Sequence, residues 1–286
     1  MEAGFSFRQG MYKNKYKIKN KGYGMMKKTL VWAHRGASAS APENTMAAFQ
    51  LAAEYKADGI ELDVQQTKDG KLVVIHDEMV DRVSGSSGWV KDFTYERLKK
   101  LNVNQQFPQY GPQHIPTLEE VYEMIRPTGL TVNVELKTGI IFYPDIEEQV
   151  LELTERMGMQ ERVIYSSFNH YSVRRLKRLK PDAKTGLLYQ DGMIGVFSYA
   201  KKTVQADALH PAIYNVQYPD FFEECKKHGL KVYVWTVNEE EHMRLLCENG
   251  TDAMITNDPQ LGRAVADEYE DGKLIPGLVR ELEKIL

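Results

Sequence analysis

The feature that most restricts the fold is a regular alternation of short apolar segments with longer amphipathic segments along the chain. The short segments have the length and the β-branched content of buried strands. The pattern predicts eight strands: Thr29–Ala33, Gly59–Val64, Thr131–Glu135, Arg162–Ser166, Thr185–Tyr189, Ala206–His210, Lys231–Trp235 and Ala253–Thr256. Eight strand–helix units in about 240 residues predict an α/β fold of the TIM (β/α)8 barrel type. A doubly wound open sheet is the alternative, but no glycine-rich phosphate fingerprint supports it.

Helices are predicted from the apolar spacing in the intervals between these strands. The first follows a cap at Asn44 or Thr45, and a second cap is expected at Thr117. Beyond that cap the pattern predicts seven helices: Leu118–Ile125, Ile146–Met157, Tyr171–Leu179, Ile194–Lys202, Pro219–His228, Glu239–Glu248 and Pro259–Tyr269. Residues 78–115 break the alternation, being rich in Gly, Ser, Pro and Gln, and are interpreted as an insertion with one short helix near residues 95–101.

The charge of the chain is distributed unevenly. Residues 1–28 contain eight Lys or Arg and one acidic residue, which gives a formal charge of +7. Residues 29–286 have a formal charge of −10, so the whole chain has a net charge of −3. The acidic body argues against nucleic-acid binding, and the basic segment lacks the apolar region of a secretory signal. We therefore expect a disordered basic extension over 1–28, the barrel over 29–270 and a helical tail over 271–286. Cys225 and Cys247 are expected to be buried free thiols in helices.

A hairpin is predicted after the second strand, over residues 59–77. The Asp69-Gly70 pair is a strong hairpin signal, and the connection is too short for a parallel return. Folding the chain about this turn brings His76 level with Glu61 and Leu62. The period of two places Glu61 and Asp63 on one strand face, about 7 Å apart. A solvated edge strand is the simpler reading of this segment taken alone.

Polar side chains fall repeatedly at the carboxyl ends of the predicted strands, where the active sites of TIM barrels lie. The set is His34, Arg35, Glu61, Asp63, Glu135, Lys137, Ser166, Ser167, Gln190, His210, Trp235 and Asn257. Three clustered carboxylates, Glu61, Asp63 and Glu135, would repel one another without a cation, and oxygen ligands suit Ca²⁺, Mg²⁺ or Mn²⁺. An ion pair of Glu135 with Lys137 is the alternative.

The remaining polar groups suit reaction at a phosphoryl group. His34 and His76 can exchange protons near neutral pH. Arg35 and Lys137 supply positive charge for an anionic substrate group, and the arginine fork matches phosphate geometry. Together with the acidic cluster, these residues indicate metal-assisted displacement at phosphorus.

An ordered series of motifs resembles the glycerophosphodiester phosphodiesterase family over about residues 29–262. The motifs are His34-Arg35-Gly36, Pro42-Glu43-Asn44-Thr45, Glu61-Leu62-Asp63-Val64, Thr67-Lys68-Asp69-Gly70, Val74-Ile75-His76-Asp77, Pro116-Thr117-Leu118, Asn133-Val134-Glu135-Leu136-Lys137 and Trp235-Thr236-Val237-Asn238. The resemblance implies a TIM barrel with a small insertion after the second barrel strand and its hairpin. It also implies hydrolysis of glycerophosphodiesters to sn-glycerol 3-phosphate and an alcohol, with one divalent cation, Ca²⁺ or Mg²⁺.

The resemblance also implies roles for individual residues. His34 and His76 match the catalytic pair, while Arg35 and Lys137 match the phosphate contacts. The metal ligands are matched by Glu61, Asp63 and Glu135. The expected reaction proceeds through a cyclic phosphate, formed when the glycerol 2-hydroxyl attacks phosphorus. Which histidine acts first as base is left open.

Phe168 and Trp235 are expected to wall the pocket around the glycerol. Two other functions are consistent with the same site. One is lysophospholipase D-type hydrolysis, which an apolar groove at Trp89, Val90 and Phe93 would favour. The other is a barrel that binds a metal and a phosphorylated ligand without turnover. The sequence has no run of 18 apolar residues, so no membrane span is predicted. The expected partner is a small molecule, and the expected location is cytoplasmic.

Overall fold

Eight parallel strands close into a barrel in the computed structural model, which describes residues 28–218 and 220–270. The closure is shown by the pairing of the first strand with both the second and the last. The strands are β1 (Leu30–His34), β2 (Gly59–Gln66), β3 (Leu72–Val74), β4 (Thr131–Leu136), β5 (Val163–Ser167), β6 (Lys184–Tyr189), β7 (Ala208–Pro211), β8 (Lys231–Val234) and β9 (Ala253–Thr256). The predicted TIM barrel is confirmed.

Strand β3 lies outside the barrel and pairs antiparallel with the end of β2. Because Val64 pairs with Val74, this register places His76 opposite Leu62, at the level predicted from the turn. The amide of Ile75 still donates to Asp63 O at 2.9 Å, which continues the pairing one residue beyond β3. The hairpin therefore delivers His76 to the same barrel end as the acids of β2.

The helices follow the strands as expected, with one local difference. They are α1 (Met46–Glu54), α2 (Asp81–Ser84), α3 (Tyr95–Leu98), α4 (Leu118–Ile125), α5 (Ile146–Arg156), α6 (His170–Leu179), α7 (Val196–Ser198), α8 (Phe221–Lys227), α9 (Glu240–Glu248) and α10 (Pro259–Glu270). The helix predicted over 194–202 is instead a short α7 followed by a π-helix over Tyr199–Val204. Apolar spacing alone does not separate these two helix types, because both place residues of one face against the core.

Helix α4 shows why its sequence begins a helix at the predicted residue. The Thr117 hydroxyl accepts from the Glu120 amide at 3.1 Å, while the Glu120 carboxylate accepts from the Thr117 amide at 2.7 Å. This capping box satisfies two amides that lack partners at a helix start. At α1, Thr45 is the cap, and Asn44 is free to contact the candidate site.

The hydrophobic core has two regions, separated by the barrel wall. Alternate strand residues face the helices, where they form two large buried clusters with the apolar faces of α1, α4, α5, α6, α9 and α10. The residues between them fill the barrel interior, with Trp32 against Tyr233 at a ring-centroid distance of 4.5 Å. The interior is therefore packed near its amino end, and its carboxyl end is left for polar groups.

The insertion after β3 is a small subdomain with its own core. Its buried cluster includes Val80, Val90, Leu98 and Ile115. The subdomain contains two short helices, α2 and α3, where the sequence predicts one. Val90 is fully buried in this cluster and Phe93 packs against it. Two of the three residues considered for an apolar groove thus pack within the subdomain, whereas the third, Trp89, is 38% exposed.

The described chain ends short of the two predicted terminal segments. Except for Lys28, the basic extension lies outside the described residues, as does the predicted tail over 271–286. Cys225 and Cys247 are both buried thiols in helices, as predicted. No helix within residues 28–218 and 220–270 is both long and apolar enough to span a membrane.

Candidate active site

The loop after β1 turns sharply to bring polar groups over the barrel mouth. Arg35 adopts a left-handed conformation with φ 56°, followed by Gly36 with φ 79°. A Cβ at Gly36 would lie 2.6 Å from the carbonyl carbon of Ala48, so only glycine permits this approach to α1. The turn is held because the Arg35 amide donates to Glu61 O at 2.9 Å and to Glu61 Oε2 at 3.1 Å.

Three carboxylates converge at the carboxyl ends of β2 and β4. Asp63 is paired with Glu135 in the parallel register, which places both beside Glu61. One oxygen from each of Glu61, Asp63 and Glu135 lies within 4.8 Å of the others, and all three residues are buried. The predicted acidic cluster is thus brought together by the fold.

The surroundings of the three carboxyls shift their pKa values in different directions. Burial, together with Asp63 and Glu135, raises the pKa of Glu61 well above its usual value. Burial also raises the pKa of Glu135, against the opposing charge of Lys137. For Asp63 the burial effect is outweighed by Arg35 and Lys137, so the pKa falls below its usual value. A cation bound among them would favour the charged form of all three.

Two cationic side chains border the cluster on the side of Asp63. Arg35 Nε lies 3.4 Å from Asp63 Oδ2, and Lys137 Nζ lies 2.9 Å from Glu135 Oε1. Asn44 donates to Asp63 Oδ2 at 2.9 Å, but no hydrogen-bond donor among the described residues reaches Asp63 Oδ1. Three buried oxygen ligands with one unbonded oxygen fit a hard divalent cation such as Ca²⁺ or Mg²⁺.

The alternative of a simple Glu135–Lys137 ion pair is therefore incomplete. That pair is present at 2.9 Å, yet with all three carboxyls ionised the two cations would leave a formal charge of −1, which the raised pKa of Glu61 opposes. A divalent cation would change this balance to +1, which suits an anionic phosphodiester. Buried charge without compensation is costly, so the donor set favours a bound cation over ion pairing alone.

The two candidate histidines enter the pocket from different elements and have different partners. His34 Nδ1 lies 2.6 Å from Asn257 Oδ1, so this nitrogen donates and the free Nε2 faces Glu61 Oε2 at 3.9 Å. Burial, together with Arg35, lowers the pKa of His34 to about 4. His76 Nδ1 instead donates to Asp77 Oδ1 at 2.6 Å. One imidazole therefore has a neutral partner and the other a carboxylate.

An ion-pair network extends from His76 through the insertion to the β1 loop. Arg82 donates to Asp77 Oδ2 at 2.6 Å and to both oxygens of Glu43 at 2.7 and 2.8 Å. Glu43 in turn accepts from Arg35 at 3.1 Å. The network thus connects the imidazole of His76 with the guanidinium of Arg35 through three intervening residues.

A pocket of about 350 Å³ opens between these groups at the barrel mouth. Phe168 and Trp235 form one wall, with ring planes nearly perpendicular and centroids 5.4 Å apart. Trp235 is fixed by a hydrogen bond from Nε1 to His210 O at 2.7 Å. The pocket is lined by His34, Arg35, Glu61, His76, Asn133, Glu135, Phe168, Leu188, Trp235 and Ile255.

Comparison with known proteins identifies the family to which this arrangement belongs. The model of the glycerophosphoryl diester phosphodiesterase family matches residues 34–261. The chain belongs to this family. A glycerophosphodiester phosphodiesterase of Caldanaerobacter subterraneus subsp. tengcongensis is 50% identical over 234 residues, which cover 82% of this chain and 96% of that protein. Membership confirms the resemblance found in the motifs and makes the chain a phosphodiesterase.

Solved structures agree with this assignment. The glycerophosphodiester phosphodiesterase of Agrobacterium tumefaciens superimposes with a TM-score of 0.74 at 28% identity, covering 82% of this chain and 99% of that one. An Oleispira antarctica phosphodiesterase in complex with the product sn-glycerol 3-phosphate has a TM-score of 0.74 at 27% identity, covering 84% and 97%. The family fold therefore extends over the whole described barrel.

The positions of the predicted site residues can be compared directly with this phosphodiesterase site. Seven of the nine residues expected at the site line the pocket. The other two lie beside it: Asp63 belongs to the acidic cluster, and Lys137 forms an ion pair with Glu135. Gln190 is exposed and His210 is buried away from the lining, so these two strand-end residues do not form the pocket surface.

Sequence reasoning missed the residues that support the site. Asn44 was interpreted only as a possible helix cap, and Glu43 and Asp77 were noted only as parts of motifs. Arg82 carried no signal, because its two partners lie 5 and 39 residues away in the chain. For Asp77, the direct sequence adjacency to His76 was a usable signal.

Proposed function

We propose that the chain hydrolyses glycerophosphodiesters to sn-glycerol 3-phosphate and an alcohol. The observation that carries the proposal is the convergence of three carboxylates, two histidines and two cationic side chains on one pocket in a barrel of this family. The relative from Oleispira antarctica holds sn-glycerol 3-phosphate as product. A binding protein without turnover would have no need for two imidazoles held by hydrogen bonds at the same mouth.

Arg35 and Lys137 are proposed to bind the phosphate. Both are largely buried and already close to carboxylates, so the anionic substrate would add to an existing set of charge-assisted contacts. Glu61, Asp63 and Glu135 would hold one Ca²⁺ or Mg²⁺, which would supply charge stabilisation to the phosphoryl oxygens. Phe168 and Trp235 are proposed to contact the carbon skeleton of the glycerol.

The hydrogen-bond partners of the two histidines support a proposal for their first roles. We propose that His34 accepts the proton of the glycerol 2-hydroxyl, because its Nδ1 is occupied by Asn257 and its Nε2 is left as an acceptor. His76 would donate a proton to the leaving alcohol, because the Asp77 carboxylate stabilises an imidazolium. The 2-oxygen bonds to phosphorus as the alcohol oxygen leaves, giving a cyclic phosphate. Water then opens the ring with the two roles exchanged.

The identity of the product tests the proposed reaction. We expect glycerophosphocholine and glycerophosphoethanolamine to yield sn-glycerol 3-phosphate and the free alcohol, which can be followed by ³¹P NMR. Release of phosphocholine with free glycerol would place the cleavage on the other phosphate ester bond and contradict the proposal.

The roles of the histidines are tested by substitution. His34→Ala and His76→Ala are each expected to lower kcat by about 10²- to 10⁴-fold, because each removes a general acid–base group. His114→Ala and His242→Ala, which alter exposed histidines, are the matched controls and should retain the parent rate. A near-normal rate in either pocket variant would remove that histidine from the mechanism.

A further inference from the structure

Large apolar side chains are exposed on one side of the barrel mouth. They lie after β4, β5, β6 and β7, in the four loops that follow these strands or in the first turn of the next helix. We call the six most prominent the apolar rim: Ile140, Phe142, Tyr171, Ile194, Tyr214 and Tyr218. Their exposed fractions range from 46% to 106%. Such concentrated exposure on a folded protein is typical of an interaction surface rather than of scattered surface residues.

The four loops form one continuous surface. Their parent strands are neighbours in the barrel, in the order β4, β5, β6 and β7. Side chains of one loop donate to backbone carbonyls at the end of the neighbouring strand or in its loop: Asn169 Nδ2 to Thr138 O at 3.0 Å, His170 Nε2 to Leu188 O at 2.9 Å, and Asn215 Nδ2 to Gln190 O at 2.7 Å. These hydrogen bonds connect the four regions that carry the rim residues.

The segments of these loops that carry the rim side chains lack formal charge, although Lys137, Asp145 and Asp191 directly border them. No Asp, Glu, Lys or Arg occurs in residues 138–144, 168–173, 192–200 or 211–218, although charged residues make up 27% of the chain. A surface that recognised a charged protein or nucleic acid would present complementary charge. The complementary occupant of this surface is therefore itself apolar.

The rim is continuous with the pocket. Phe168 lies three residues before Tyr171, in the loop that leads into α6, and also lines the pocket against Trp235. A protein seated across the rim would cover the opening through which substrate enters. A lipid surface presents an apolar layer beside phosphate-bearing headgroups, which matches an apolar rim that adjoins a pocket with cationic side chains.

We propose that the apolar rim docks the barrel mouth onto the surface of a phospholipid bilayer. The aromatic and aliphatic side chains of the rim would enter the interfacial region, as such side chains do in membrane-surface proteins. The part of this inference that concerns the source of the substrate rests on the proposed function. A glycerophosphodiester is a phospholipid without its acyl chains, so a deacylation reaction at a lipid surface must supply it.

Flotation with neutral phosphatidylcholine vesicles tests the proposal. The wild-type chain should float with the vesicles at both low and high salt, since the rim carries no charge. The double variant Phe142→Ser/Ile194→Ser should show a partition coefficient lower by about 10- to 100-fold, because two large apolar side chains no longer enter the interface. Its hydrolysis of soluble glycerophosphocholine should equal that of the wild type, which shows that the fold and pocket are intact.

A matched control uses exposed leucines outside the rim. Leu179 and Leu245 are exposed to a similar degree as Tyr214, but Leu179 is the last residue of α6, at the opposite end from Tyr171, and Leu245 lies within α9. The variant Leu179→Ser/Leu245→Ser should float like the wild type. An equal loss of flotation in this control would indicate nonspecific hydrophobic binding to the vesicles and would contradict the role of the rim.

Two further outcomes would contradict the proposal. Wild type that stays in solution, or a rim variant that floats unchanged, would show that the rim does not bind lipid. A dimer in light scattering that the rim variant dissociates, with no flotation, would assign the rim to a second copy of the chain. Flotation with no hydrolysis of soluble substrate would leave the rim supported and contradict only the proposed function.

Discussion

The two histidines of the site differ in the residue that holds them. Asp77 gives His76 a carboxylate partner, whereas Asn257 gives His34 a neutral amide. Asp77 is itself fixed by Arg82, and Ser38 places its hydroxyl 3.2 Å from Asn257 Oδ1. Orientation of a catalytic imidazole by such a partner fixes both its tautomer and its direction.

We predict that Asp77→Asn lowers kcat for glycerophosphocholine by about 10²-fold, with little change in KM. The amide cannot stabilise a protonated His76 as the carboxylate does, so proton donation to the leaving alcohol should be impaired. Substrate binding should persist because Arg35 and Lys137 are unchanged. Steady-state kinetics that separate kcat from KM provide the measurement.

Asp81→Asn is the matched control for this change. Asp81 lies four residues further along the chain, and its carboxylate contacts only Ser87 and Gly88 among the hydrogen bonds of the described residues. This variant should keep the parent kcat. A parent-like kcat in Asp77→Asn, or an equal loss in both variants, would show that Asp77 does not position His76.

At the scale of elements, the insertion is joined to the barrel by charge as well as by packing. Arg82 of α2 bridges Asp77, which follows β3, and Glu43, which follows β1. Although burial raises the pKa of both carboxyls, the Arg82 contacts outweigh it, so the pKa of Glu43 and of Asp77 is lower than usual. A carboxyl with a lowered pKa stabilises the fold at higher pH, and this contribution is lost as the pH falls.

We predict that the stabilising effect of Arg82 depends on pH. The difference in Tm between wild type and Arg82→Met should be largest near pH 7, well above the unfolded-state pKa values of about 4. It should shrink below about pH 4, as both carboxyls become protonated. Thermal unfolding followed by circular dichroism between pH 7 and pH 3 provides the test.

Arg97→Met serves as the control within the same insertion. Arg97 lies over the ring of Phe93 at 5.4 Å. Its effect on Tm should vary little over this pH range, because an aromatic ring does not titrate. A constant Tm difference for Arg82→Met across the same range would rule out the proposed ion pairs as its origin.

The same elements show how far sequence predicts this molecule. The strands were located within about two residues, since apolar period and length define buried strands well. The π-helix over Tyr199–Val204 and the core of the insertion were not predicted. Both depend on tertiary contacts, which the local apolar spacing does not encode. Glu61, Asp63 and Glu135 were predicted because strand ends converge, whereas Arg82 lies on α2 of the insertion, whose position the local sequence does not encode.

For the whole molecule, the barrel separates stability from chemistry. The buried clusters lie between the strands and the helices, and the polar groups lie at the carboxyl ends of the strands. Leu176 on α6 is fully buried in the first of these clusters. Leu176 is not among the residues that line the pocket.

Leu176→Ala is therefore predicted to lower the free energy of unfolding by about 2–5 kcal/mol, through the lost apolar contacts and the cavity left behind. Urea denaturation measures this change. The half-saturating concentration of the activating cation should stay unchanged at temperatures where the variant is folded. A shift in that concentration would contradict the separation of the core from the site.

The central claim is that Glu61, Asp63 and Glu135 hold one divalent cation on which turnover depends. The most direct test is a titration of EDTA-stripped protein with Ca²⁺ or Mg²⁺, following release of sn-glycerol 3-phosphate from glycerophosphocholine. We predict no turnover in the stripped protein, single-site recovery in the wild type, and a half-saturating concentration about 10- to 100-fold higher in Glu135→Gln. The exposed-residue control Glu123→Gln should match the wild type. Undiminished turnover after stripping, or an unchanged titration in Glu135→Gln, would contradict the claim.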